Sequence, residues 1–101
     1  MTKSDKKAEK SIILALTNVC EIALKTVEGF QWITHNVNYN DFPRSLSILC
    51  VFDNNESLLS AKASEKHTHL KNQIQKELAA QNIHIKNINS TVSFDVEESI
   101  H

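Results

Sequence analysis

The sequence predicts an α+β fold in the order α-β-β-α(α)-β: a three-stranded mixed sheet with helices packed on one face. Three observations carry this. Ile12, Leu16, Val19, Cys20, Ala23 and Val27 recur at three and four residues, the period of one helical face. Two alternating apolar runs, Phe30–Tyr39 and Ser45–Phe52, flank the turn-forming Asn40-Asp41-Phe42-Pro43-Arg44. A long helical pattern from Asn55 to Gln81 then leads into a last alternating segment, Ile83–Val96.

The first helix is expected from about Ser4 to Glu28, with Ile13 and Leu24 widening its apolar stripe. Gly29, the single glycine, stands where a helix is followed by a residue of positive φ, and it is read as the stop. In the first strand Phe30, Trp32 and Thr34 share one parity and Ile33, Val37 and Tyr39 the other. Pro43 has no N–H for a ladder, so the next strand should pair with the first as an antiparallel hairpin. In that second strand Leu46, Ile48, Cys50 and Phe52 face one way and Leu49 and Val51 the other. Asp53 to Glu56 follows with helix-opening chemistry, a short polar cap and a Glu three residues on.

From Asn55 to Gln81, Leu59, Ala63, Leu70, Ile74 and Leu78 are assigned to one face. The stripe fails over the polar Ser64–His69, so the segment is either two helices broken near Ser64, which could cap the second, or one helix with an exposed turn. Asn82 is a candidate C-cap. The parity change between Ile83, Ile85 and Ile88, Val92, Phe94, Val96 asks for a bulge or turn near Asn87–Asn89. A helical crossover joins the second and third strands, which makes them parallel and the connection right-handed.

The 101 residues are expected to form one domain, 1–101, with residues 1–6 fraying and 97–101 a charged tail. A hydrophobic content of 41% supplies a core, and one Gly and one Pro argue against long irregular stretches. The net charge of −1 excludes a global basic field of the kind that dominates nucleic-acid binding. Cys20 and Cys50 sit inside apolar patterns and read as reduced core thiols. No signal-type start or membrane-length apolar run is present, so the expectation is a soluble, cytoplasmic protein.

The element order resembles type II KH-like domains and the ribosome-binding factor A family, with the break at Ser64 and Asn89-Ser90-Thr91-Val92-Ser93-Phe94-Asp95 as local matches. KH domains clamp a nucleic-acid backbone with Gly-x-x-Gly, which a chain with one glycine lacks. Val19-Cys20-Glu21, Gly29-Phe30-Gln31-Trp32, Asn38-Tyr39, Phe42-Pro43, Cys50-Val51-Phe52-Asp53 and Ser93-Phe94-Asp95 with Glu97-Glu98 are similar to a small bacterial family often labelled Fis-type transcription regulators. Fis-like proteins end in a helix-turn-helix, whereas this chain ends in a β-pattern and acids. The resemblance implies a non-catalytic binding module, an RNA- or ribosome-associated accessory factor.

The residues add the following. Between Ser57 and Ser90, Lys62, Lys66, Lys71, Lys76 and Lys86 face only Glu65 and Glu77, a candidate phosphate-contacting surface. Apolar residues on both sides of the first two strands exceed what helices on one face can cover. Ile33, Val37, Leu49 and Val51 are set on one side, with Phe30, Trp32, Ile48 and Phe52 on the other. Ile33, Val37, Tyr39, Leu49 and Val51 are therefore candidate interface residues for a homodimer or protein partner, and a homodimeric adaptor is the alternative function. No catalytic constellation or cofactor motif is visible. Asp53 and Asp95 are weak oxygen-ligand candidates at one sheet edge. His35, His67, His69, His84 and His101 lack zinc-site spacing.

Overall fold

Gly29 turns the chain at φ +83°, the left-handed conformation that a side chain disfavours, and so separates α1 (Lys3–Thr26) from β1 (Phe30–Asn36). A computed structural model describes residues 3–97. The tail beyond Glu97, with Glu98 and His101, and the first two residues lie outside the described residues. Lys3–Lys6, expected to fray, are helical. β1 stops at Asn36, three residues short of the expected end, where Asn38 accepts a hydrogen bond from the Asn40 amide and opens a 3-10 turn, Tyr39–Asp41. The turn contains a cis Phe42–Pro43 peptide and leads into β2 (Ser47–Phe52).

The ambiguous helical region is two helices, α2 (Asn55–Ala63) and α3 (Lys66–Ala80). Ser64 closes α2 rather than capping α3; Glu65 makes the junction at φ 61°. At the far end of α3 the Ile83 amide donates to the Leu78 carbonyl and the Asn82 amide to Ala79, both 2.9 Å, with Asn82 at φ 62°. That double bond pattern satisfies two orphan carbonyls and seats buried Ile83 by Leu78. Near Asn87–Asn89 a one-turn helix, α4 (Ile88–Thr91), occupies the expected irregularity, so β3 is only Val92–Val96.

The sheet order is β1-β2-β3, with β1 antiparallel and β3 parallel to β2. This is the predicted α+β, three-stranded mixed sheet. Ile48, Cys50, Phe52, Val92 and Val96 face the helices and pack with Ile12, Leu16 and Val19 of α1, Leu58 of α2, and Leu70, Ile74 and Leu78 of α3. Each such aliphatic or aromatic side chain contributes about 1.5–3 kcal/mol on burial. Phe52 anchors the layer, meeting Phe30 edge-on at 6.0 Å and Phe94 at 6.4 Å. No described helix is long and apolar enough to cross a membrane.

The strand parity needs correction. The register shifts between Phe30 and Trp32, so that Phe30 pairs with Phe52, but Trp32 pairs with Val51 and Ile33 with Cys50. One extra residue reverses which face the rest of the strand presents. Ile33 therefore joins Phe30 on the helix side, while Trp32 lies with Leu49 and Val51 on the other. The face turned away from the helices is thus not a broad apolar sheet. Its rows are Trp32–Val51–Asp95, Thr34–Leu49–Ser93 and Asn36–Ser47, with polar groups outnumbering apolar ones.

Candidate functional site

The five lysines do not form one surface. Lys66, Lys71 and Lys76 are five residues apart on one helix, so at 100° per residue they step about 140° around it. Lys66 donates to the Thr26 carbonyl at 3.3 Å, serving the C-terminal end of α1. Lys71 donates to Asn89 Oδ1 at 3.2 Å and sits 5.6 Å from the centre of the Phe94 ring. Lys76 and Lys62 are exposed elsewhere. Lys86 instead lines a cleft with Pro43, Arg44, His84, Ser90 and Thr91. His84 stands near Lys86 in the chain and was grouped with the lysines; the sequence reading missed Arg44, because the turn after β1 lies far from Lys86 in the chain. The available signal was negative: residues 78–94 contain no acid.

Asp53 and Asp95, expected at one sheet edge, do not share a site: the groove that holds Asp53 is lined by Glu28 and Glu56 and not by Asp95. Asp53 Oδ1 accepts the Asn54 amide and Asp95 Oδ1 the Val96 amide, each at 2.8 Å. Helix α2 is capped not by Asp53 but by Asn54, whose side chain accepts from the Ser57 amide at 2.9 Å. Among the described residues no three His, Cys, Asp or Glu side chains gather as a metal site. His67 stands edge-on to Phe94 at 6.0 Å. His69 lines the α1–α3 groove and His35 a groove beside α1, so the histidines stay apart.

Both cysteines are free thiols. Burial pushes Cys50 up to about 12, with a smaller contribution from Cys20, so it stays protonated and unreactive near neutrality. Cys20 is also raised, first by burial and then by Glu21.

The interface candidates divide. Ile33, Val37 and Tyr39 pack against the core from its margin, whereas Leu49 and Val51 lie on the opposite sheet face, Val51 fully buried in its row. Exposed apolar surface is divided: Ile22 lines the α1–α3 groove and Leu59 stands out from α2, while a further group lies about the edge of the sheet. β1 is an edge strand, and its seven residues, Phe-Gln-Trp-Ile-Thr-His-Asn, include no Asp, Glu, Lys, Arg or Pro. Alongside it α1 presents Ile13, Thr17, Cys20 and Leu24, spaced four, three and four residues, which is a single helical stripe. Ile13 is 49% exposed and Leu24 56%. A groove lined by Ile13, Thr17, Cys20, Ile33 and His35, with Glu21 as its one acid, joins helix and strand. Trp32, 37% exposed, flanks the strand on its other side. The sequence had already shown Ile13 and Leu24 widening the apolar stripe; what periodicity lacked was which side of the helix the sheet would leave open.

No family model matches this chain, and no curated protein or solved structure is similar enough to it to register as a match.

Proposed function

We propose that the chain is a non-catalytic binding module, an adaptor that holds another polypeptide along the β1 edge and the adjoining flank of α1. The supporting observation is the pairing of an uncharged edge strand with an exposed apolar helix stripe. Edge strands carry unpaired backbone N–H and C=O groups, and proteins blunt them with charge or proline where pairing is unwanted. β1 carries neither. Strand addition supplies main-chain hydrogen bonds, and the flanking apolar groups supply affinity. The test is capture of polypeptides from nuclease-treated lysate by wild type and by Ile13→Glu plus Leu24→Glu. Binding lost in the variant, whose thermal melt stays cooperative, supports the adaptor. Capture unchanged by the variant overturns it.

The cleft of Arg44, His84 and Lys86 favours a second reading, an RNA-associated accessory factor. Two cations, hydroxyls from Ser90 and Thr91, and an acid-free stretch suit phosphate contacts. Arg44 also pairs with Asp41 at 3.1 Å, which tempers its charge. Salt-sensitive retention of RNA, abolished by Arg44→Glu plus Lys86→Glu, supports this reading. Retention unaffected by that pair overturns it.

A further inference from the structure

Resting on the adaptor reading, we infer that the occupant of the β1 edge is an extended basic peptide segment, in which a lysine or arginine stands midway between two apolar residues and meets Glu21.

Charge selects the cation. Glu21 is the one acid lining the groove between α1 and β1, and no lysine or arginine lines it. Its side chain is exposed, and among the described residues no hydrogen bond or ion pair engages its carboxylate. Lys25, one helical turn further on, lies outside the groove. An occupant that brought an acid here would meet like charge. An uncharged occupant would cover the carboxylate without pairing it, which costs free energy. A cationic side chain satisfies it. β1 has no lysine or arginine of its own, so a second copy of that strand does not supply the cation.

Spacing places the cation between apolar neighbours. Along α1, the exposed Ile13 and Leu24 are about 16 Å apart at 1.5 Å per residue. On one side of an added strand, side chains recur about every 6.6 Å, so three of them span about 13 Å and fit that length. The outer two fall beside Ile13 and Leu24. Glu21 lies four residues from Thr17 and three from Leu24, on the border of the same stripe. Helical side chains tilt toward the helix start, which brings this carboxylate nearest the middle position. The pattern apolar, any, basic, any, apolar reads the same in both directions, so it serves parallel and antiparallel addition alike. The two intervening residues turn to the other face of the sheet, where Trp32 flanks the strand.

Trp32 is the single tryptophan and is 37% exposed, so its fluorescence reports occupancy of the edge. The test is titration with the peptide Thr-Ile-Thr-Arg-Thr-Val-Thr, which matches the seven residues of β1, and with the same peptide carrying Glu in place of Arg. Wild type is expected to bind the Arg peptide about fivefold more tightly than the Glu peptide. Glu21→Lys, with unchanged circular dichroism, is expected to reverse that order. Equal binding of the two peptides overturns the inference, and so does a preference for Arg that persists in Glu21→Lys. Binding of neither peptide also overturns it, including the case in which light scattering gives a mass near twice the 11.4 kDa of the chain and a second copy holds the edge. In each of these cases, lysate capture that is lost with Ile13→Glu plus Leu24→Glu leaves the adaptor reading standing with another occupant. Capture indifferent to that pair removes both.

Discussion

The Asp53 amide donates to the Gly29 carbonyl at 2.8 Å, tying the turn after α1 to the end of β2. The same two residues crowd each other: a Cβ on Gly29 would lie 2.8 Å from Asp53 Oδ1 and would collide with the Ser57 side chain. Gly29 is thus required twice, for its positive φ and for the space that the start of α2 occupies. Gly29→Ala is expected to lose about 3 kcal/mol in urea unfolding, combining roughly 1–2 kcal/mol for the left-handed backbone with the clash. Ser57→Gly added to it should recover only the clash. Full recovery would show that the backbone conformation carries no cost.

Cys50 gives a pH signature of known sign. Its folded pKa, pushed up to about 12 by burial, lies above the unfolded value near 9.0. Below pH 9 both states keep the proton, and the thiol makes stability no steeper or flatter. Between about pH 9 and 12 the unfolded chain releases it and the folded chain does not, so stability falls as pH rises, by at most about 1.4 kcal/mol per unit from this group. Tyr39 is raised as well, first by burial, so the measurement is a difference. Wild type should lose stability more steeply than Cys50→Ala across that window. Parallel profiles would mean that the buried thiol is not excluded from water.

The element order and the parallel crossover were readable because each rests on local periodicity or on a general rule of chain connection, whereas the failing stripe over Ser64–His69 left one helix or two open. Ile74 and Leu78 announce their face by spacing alone, and Gly29 announces its turn by being the single residue free to make it. The two-faced sheet was misread because one extra residue at Gln31 reverses the parity of Ile33 and Trp32, and a bulge leaves no mark in the hydrophobic pattern of a strand that is apolar at both parities. Leu59 was placed in the buried stripe of α2 but is exposed, while Leu58 and Ala61 are buried; a nine-residue helix is too short for its stripe to be fixed by period. The lysines misled for a different reason. Composition counts charges along the chain, whereas a surface depends on the 140° step between residues five apart.

Capping is the third point of measurement. Asp53 and Asn54 are both chemically able to open α2, and only the backbone decides between them. Asn54, extended at φ −153°, receives the Ser57 amide, whereas Asp53 bonds its own neighbour. Asn54→Ala should therefore cost about 1 kcal/mol of stability, and Asn54→Asp close to nothing. Denaturant midpoints at constant m-value decide it. A larger loss from Asp53→Ala than from Asn54→Ala would reassign the cap.

The junction between α2 and α3 holds a second left-handed residue, and here the sequence did not supply a glycine. Glu65 adopts φ 61° and ψ 18°, and its side chain makes no capping bond to α3. A side chain in that region costs roughly 1 kcal/mol. Glycine removes the cost, but it enlarges the unfolded ensemble by about 0.4–1 kcal/mol. Any favourable interaction of the carboxylate with the α3 dipole, about 0.3–1 kcal/mol, is also lost. Glu65→Gly should for that reason be nearly neutral. Asparagine tolerates the left-handed region without the entropy penalty, so Glu65→Asn should come out the more stable of the two, by about 0.5 kcal/mol. Glu65→Val should be the least stable of the series, because a β-branched side chain fits positive φ worst. The order Asn, Gly, Val in thermal midpoint is the expected result. A Val variant as stable as wild type would mean that the junction does not hold the left-handed turn in solution and that α2 and α3 run on as one helix.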